Sequence, residues 1–253
     1  VDLSWAQVAP AAAPAPCGGE GPAVAIGLID DPGAQSQLPW HWDPESGHLA
    51  IIGRPRSGRT TAVRALVTAR ALHDCPRGRV VHLVDAEGRG GDLSALPGVV
   101  SHLTLNEPAA IGRLIRGLRE RVRSRAAGQD RALSRSPRPP EGPPDPAVEA
   151  DLLVLDGWEQ ILAALERIDH GAVLDDLLEA ARAGPGGGLT ILATGERGLL
   201  SGPFASALGH RLILDLSDPA DAYLAGLDAG KGDRRPPGRA LLPDSGLECQ
   251  LAH

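Results

Sequence analysis

LAIIGRPRSGRTTAV, residues 49–63, decides how the rest of the chain is read. Leu49, Ala50, Ile51 and Ile52 form a short apolar run suited to a buried strand. Gly53-x-x-x-x-Gly58 follows, then the hydroxyl pair Thr60 and Thr61, then an Ala/Val/Leu-rich stretch at helical spacing. Strand, glycine-bracketed loop and hydroxyl at a helix start make a P-loop. Its backbone N–H groups and the helix N-terminus form a concave anion site, and glycine lets the chain curl without a Cβ clash. The phosphate-binding residues are therefore expected to be Gly53, Arg54, Pro55, Arg56, Ser57, Gly58, Arg59, Thr60 and Thr61. ATP with Mg²⁺ is the expected ligand if nucleotide binding is retained, with Thr60 on the metal. The place of the P-loop lysine, however, holds Arg59. Arginine keeps the charge but is planar, bulkier and forked. It is expected to weaken phosphate cradling and to slow hydrolysis more than binding. The sole lysine is Lys231, so Arg59 also fits a general drift from lysine to arginine.

Bulk properties bound the rest. A chain of 253 residues suits one α/β domain with extensions, or two small domains. Aromatic residues are only 2%, so the core must be built from Leu, Val, Ile and Ala. A net charge of −7 argues against generic nucleic-acid binding. No apolar run is long enough to span a bilayer, and no signal peptide is present. Cys17, Cys75 and Cys249 lack ligand spacing and fit a reducing compartment. The absence of Met and the start at Val1 suggest a piece of a longer protein.

Along the chain, residues 1–22 read as an N-terminal segment and Pro/Ala/Gly linker, and 23–253 as one P-loop domain. Trp40 and Trp42 flank His41 just before the P-loop strand. They either border a base pocket or partner surface, or lay their indoles over the sheet from an edge strand; the second is favoured. Arg79–Asp85 reads as a buried strand ending in an acid, a common place for site residues in open α/β sheets. Gly88–Gly91 reads as a flexible turn, and Asn106 as the cap of a helix over residues 108–125. That helix buries Ile111, Leu114, Ile115, Leu118 and Val122 and crowds arginines on its other faces. A basic face can bind phosphate backbone, but in an acidic chain a solvated or interdomain face is the better expectation. Residues 126–149 are Pro-rich and polar, and are expected to form a disordered or extended insertion.

DLLVLD (151–156) has the form of a Walker B strand, whose terminal Asp156 orders Mg²⁺ through water. A hydrolase of this class carries Glu directly after that Asp; here the position is Gly157. Glu159 lies two further on and would have to reach back from a helix, so the candidate catalytic residues are Asp156 and Glu159. LTILAT (189–194) is another strand; after it Glu196 stands where a polar sensor often meets the γ-phosphate, and would repel it. Arg182 and Arg197, near helix and strand ends, read as surface arginines.

In this order, IGLIDDPGAQSQLPWHWDP, GRPRSGRTT, HLVDAEGRGGDLSALPGVVSHL, DLLVLDGWE, ILATGER, LDLSDPADAYLAG and PPGRALL resemble the FtsK/SpoIIIE-type ATPases, and within them the EccC motor of type VII (ESX) secretion. The resemblance implies a RecA/FtsK-like, mainly parallel sheet flanked by helices. It implies a degenerate second or third domain of a tandem array, cytoplasmic and attached to a membrane protein. The partners implied are sister ATPase domains of the same chain, a secreted substrate with a helical C-terminal signal, and an oligomeric ring in the full motor. The expected role is docking, regulation or substrate recognition with weak or absent hydrolysis. The alternative is an active ATP-hydrolysing translocase for protein or, against the charge balance, DNA.

Overall fold

Short runs of Leu, Val, Ile and Ala, apolar at every position, can only be satisfied by burial on both faces of a sheet. The computed structural model describes residues 25–73, 80–135, 150–218, 220–227 and 235–252. The elements are β1 (Ala25–Asp31), β2 (Ser36–His41), β3 (Leu49–Ile52), α1 (Arg59–His73), β4 (Val80–Asp85), β5 (Val99–Thr104), α2 (Pro108–Arg135), β6 (Asp151–Asp156), α3 (Trp158–Leu165), α4 (Ala172–Ala183), β7 (Leu189–Gly195), β8 (His210–Ile213), α5 (Asp221–Leu224), β9 (Arg239–Leu241) and β10 (Glu248–Leu251).

One ten-stranded sheet runs β2-β1-β10-β9-β8-β3-β7-β6-β4-β5. The six strands from β8 to β5 are parallel to one another, and β9, β10, β1 and β2 extend the sheet antiparallel. The fold is therefore the expected parallel α/β sheet, enlarged by an antiparallel wing. The P-loop strand β3 is separated from the acidic strand β6 by β7, so residues at the C-terminal ends of all three converge.

Alternating strand residues feed two cores. Ala50, Ile52, Leu153 and Leu155 pack with α2, α3 and α4, and Leu49, Ile51, Leu152 and Val154 pack with α1 and the wing. On the first side Phe204 stacks on the fully buried Trp158, ring centroids 3.9 Å apart. On the second side Trp40 and Trp42 are buried, Trp42 donating its indole N–H to the Gly47 carbonyl at 3.2 Å. Trp40 lies on the edge strand β2 and Trp42 just after it, both packed into the second core, as the edge-strand reading expects.

Three local expectations change. The helix α2 runs to Arg135, ten residues past the expected end at Arg125, because residues 126–135 are themselves rich in helix-forming Ala, Arg, Gln and Leu. Its first turn hangs from the Glu107 carbonyl, which accepts the amides of Ala110 (2.9 Å) and Ile111 (3.1 Å); Glu107, not Asn106, is the first helical acceptor. The turn after β4 is pinned rather than flexible: the buried Asp85 carboxylate accepts the amides of Glu87, Gly88 and Gly90 at 3.0, 2.9 and 2.6 Å. Residues 1–24 and 136–149, the expected linker and most of the expected insertion, lie outside the described residues.

The arginine face of α2 meets acids of its own domain. Arg116 pairs with Asp169, Arg119 with Asp176 and Arg123 with Glu179. Arg121 and Arg125 pair with the buried Asp151 at the start of β6. A face neutralised in this way offers little to a phosphate backbone.

Candidate functional site

The loop leaves the sheet between the ends of β7 and β8. The Gly53 amide bonds the Gly195 carbonyl at 3.0 Å, and the Arg54 amide bonds the Asp215 carbonyl at 2.7 Å. A Cβ at Gly53 would lie 2.5 Å from Ser57 Oγ and 2.7 Å from Leu214 Cβ, so glycine is required there by space. Gly58, at φ +107°, is required by conformation. Arg56 sits at the tip with φ +66°, beside the exposed Pro55. The Ser57 amide closes the turn on the Arg54 carbonyl at 3.2 Å, and α1 begins at once with no acid in its first turn.

Two buried polar atoms here lack a hydrogen-bond partner within the protein: Ser57 Oγ and Arg59 Nη1. Buried polar groups are almost always paired, so a loop of amides with two such atoms fits a phosphate-bearing ligand. Thr60 follows in the position expected for Mg²⁺, and Thr61 points outward, exposed.

Asp156 lies next to Asp85 in register across β6 and β4. Burial pushes the Asp156 carboxyl above the usual carboxylate range; hydrogen bonds from the Thr194 and Thr60 hydroxyls oppose that rise, the Asp85 charge adds to it, and the Arg59 charge opposes it. Thr194 also accepts the Gly157 amide at 3.0 Å, so the end of β7 fixes the end of β6. Thr60 and Asp156, the two expected Mg²⁺ residues, thus stand close enough for the Thr60 hydroxyl to act on the Asp156 carboxyl.

Gly157 and Glu159 have defined structural tasks. Gly157 starts α3 in the left-handed region, φ +99° and ψ 61°, and a Cβ there would lie 2.7 Å from Ala86 Cβ. The Glu159 carboxylate accepts the amides of Glu196 at 2.7 Å and Gly198 at 3.3 Å, which caps the turn after β7. The Glu196 carboxylate in turn accepts the Ser217 hydroxyl at 2.7 Å, and its other oxygen stands 3.9 Å from Arg59 Nη1.

Sequence reasoning missed the C-terminal cover of the loop. The Gly238 amide donates to the Ser57 carbonyl at 2.9 Å, and the gap is so close that a Cβ on Gly58 would meet Gly238 N at 2.8 Å. The buried Asp215 pairs with the Arg54 side chain and accepts the Arg235 amide at 3.3 Å. The LDLSD and PPGR runs were visible, but their contact with the loop depends on β8 lying beside β3 and β9 beside β8, which no local pattern announces. Arg197 pairs with Asp221 at 2.9 Å, and Arg182 is exposed beyond the opposite, N-terminal end of the sheet.

No family model matches the chain. Among curated proteins it is 30% identical over 238 residues to the ESX-4 secretion system protein EccC4 of Mycobacterium tuberculosis, covering 91% of this chain and 19% of that protein. The chain thus spans about a fifth of that relative's length. Among solved structures it resembles EccC of Thermomonospora curvata (ATPases 2 and 3, in complex with a signal sequence peptide), with TM-score 0.69 and 24% identity over 94% of this chain and 44% of that one. It also resembles EssC (ATPases 2 and 3) of Geobacillus thermodenitrificans, with TM-score 0.75 and 21% identity over 99% of this chain and 46% of that one. With its sheet order, its glycine-bracketed loop and these matches, the chain belongs to the FtsK/SpoIIIE-type P-loop ATPase domains, of the kind found in the EccC proteins of type VII (ESX) secretion.

Proposed function

We propose that residues 23–253 form an ATPase-like domain of a type VII secretion motor that acts by docking, regulation or recognition of a secreted substrate, with weak or absent ATP hydrolysis. One observation carries this reading. The Glu159 carboxylate is tied to the Glu196 and Gly198 amides, while the position after Asp156 is a left-handed glycine. Phosphoryl transfer depends on placed charge and on a group that orients the attacking water. Neither neighbour of Asp156 is disposed to do that. The loop amides, Ser57 and Arg59 would hold a nucleotide's phosphates, and Thr60 and Asp156 would hold its Mg²⁺. The bound metal would supply charge neutralisation between phosphate groups.

The partners that fit this reading are sister ATPase domains of the same chain, a substrate bearing a helical C-terminal signal, and a ring of whole motors at the cytoplasmic side of a membrane. No described helix is long and apolar enough to cross one. A second reading, an active ATP-hydrolysing translocase domain in which Glu159 orients the attacking water, is favoured by Asp156 standing within reach of Thr60 and Arg59. Glu159→Gln in the parent motor separates the two, because glutamine keeps an oxygen for the two amides and removes the carboxylate. Export unchanged within about twofold supports the proposed role. Loss of export at unchanged protein abundance refutes it in favour of the second.

A further inference from the structure

We propose that Glu196 is a specificity-determining residue of the P-loop site, which makes it favour a nucleoside diphosphate over the triphosphate. This rests on the loop's being a nucleotide site but is independent of whether ATP is turned over. Ile52 and Gly195 are register partners at the ends of neighbouring strands, so the residue after Gly195 falls beside the start of the loop. Glu196 is held there at its backbone and at both carboxylate oxygens. Its backbone amide is anchored by Glu159, one oxygen accepts the Ser217 hydroxyl at 2.7 Å, and the other faces Arg59 Nη1 at 3.9 Å.

Arg59 is the cation in the P-loop lysine position. Its side chain is 15% exposed, and its buried Nη1 makes no hydrogen bond within the protein. The guanidinium therefore has a fixed anion nearby but keeps a donor for another. The remaining loop cation that is buried on one side, Arg54, is already paired with Asp215. A triphosphate brings one more phosphate group than a diphosphate, and that terminal group is the one a P-loop lysine reaches. Here it would have to share Arg59 with a carboxylate that Ser217 holds in place. Like charges brought close in a partly buried site repel strongly, whereas the groups of a diphosphate meet the loop amides and Ser57. Ground-state selection of the diphosphate follows from a single side chain.

The test is calorimetric titration of the 253-residue chain with Mg·ADP and with Mg·ATP, for the natural sequence, Glu196→Gln and Ser217→Ala. Glutamine is nearly isosteric, keeps an acceptor for Ser217 and removes the charge; Glu196 is partly exposed, so the fold is not at stake. The expected result is binding of ADP by the natural chain and a rise of about 10- to 100-fold in ATP affinity in Glu196→Gln, with ADP affinity changed less than about twofold; that is roughly 1.4 to 2.8 kcal/mol. Ser217→Ala should move ATP affinity in the same direction by less. An equal rise for both nucleotides, no change for either, or no binding of ADP by the natural chain overturns the proposal. None of these outcomes depends on hydrolysis, so they leave the functional reading to its own test.

Discussion

Placing any side chain at Gly157 should be costly, and the cost can be worked from two features. The first is conformation: φ +99° and ψ 61° lie in the left-handed region, where an L-residue is penalised by about 1–2 kcal/mol. The second is space, because a new Cβ would lie 2.7 Å from Ala86 Cβ, well inside van der Waals contact. The strands cannot separate to relieve it. The Ala86 amide bonds the Asp156 carbonyl at 2.9 Å, the Ile161 amide bonds the Gly157 carbonyl at 3.1 Å, and the Gly157 amide bonds Thr194 at 3.0 Å. Overpacking of this kind costs about 1–3 kcal/mol. Gly157→Ala should therefore destabilise by about 2–5 kcal/mol in urea denaturation at unchanged m-value. In the double variant Ala86→Gly/Gly157→Ala the steric part should return and the conformational part remain, giving a coupling of about 1–3 kcal/mol in the cycle. A Gly157→Ala effect below about 0.5 kcal/mol, or additive behaviour of the two changes, would refute the reasoning. If it holds, restoring the missing glutamate by Gly157→Glu alone cannot rebuild a hydrolase.

Other consequences are equally direct. Glu159→Ala leaves the Glu196 and Gly198 amides without their acceptor and should cost about 1–3 kcal/mol, with Glu159→Gln costing less, as read by thermal or chemical denaturation. Asp151 and Asp156 should shape the acid limb in opposite senses. For Asp151, burial works upward, but hydrogen bonds from His82 and Arg121 and the charges of Arg121 and Arg125 hold its carboxyl below the usual range. Its stabilisation is thus present above the ordinary aspartate value and is lost as pH falls through the depressed one, and Asp151→Asn should flatten that loss. The Asp156 carboxyl is raised by burial, so its stabilisation is present below the ordinary value and lost as pH rises through the raised one; Asp156→Asn should remove that slope in the mildly acidic range. The buried Cys249 thiol is pushed by desolvation to about 12, so alkylation at pH 8 mapped by mass spectrometry should leave it unmodified until the chain is unfolded.

What was readable in the sequence was what short-range pattern encodes. The loop from Gly53 to Thr61 and the strands around Ile51 and Val154 follow from spacing within a dozen residues. What was not readable depends on which strands are neighbours. By spacing Glu159 is a candidate to reach back to Asp156, but its partners are the Glu196 and Gly198 amides just past β7. Gly157 stood out as a missing glutamate, but the reason for glycine lies in Ala86, on the loop after β4. The arginines of α2 looked like a surface charge run because their acids sit some fifty residues on, at Asp169, Asp176 and Glu179. The antiparallel wing and the Gly238 contact with Ser57 are set by pairings of β8, β9 and β10 that local periodicity does not specify.

The most direct measurement of the central claim is single-turnover hydrolysis, with the 253-residue chain in excess over labelled Mg·ATP and product followed by rapid quench. Phosphate release should stay close to the rate in buffer, because the carboxylates of Asp85 and Glu159 are each tied to backbone amides rather than left to orient water. A rate of about 1 s⁻¹ or more, the lower end for working phosphoryl-transfer enzymes, would contradict it.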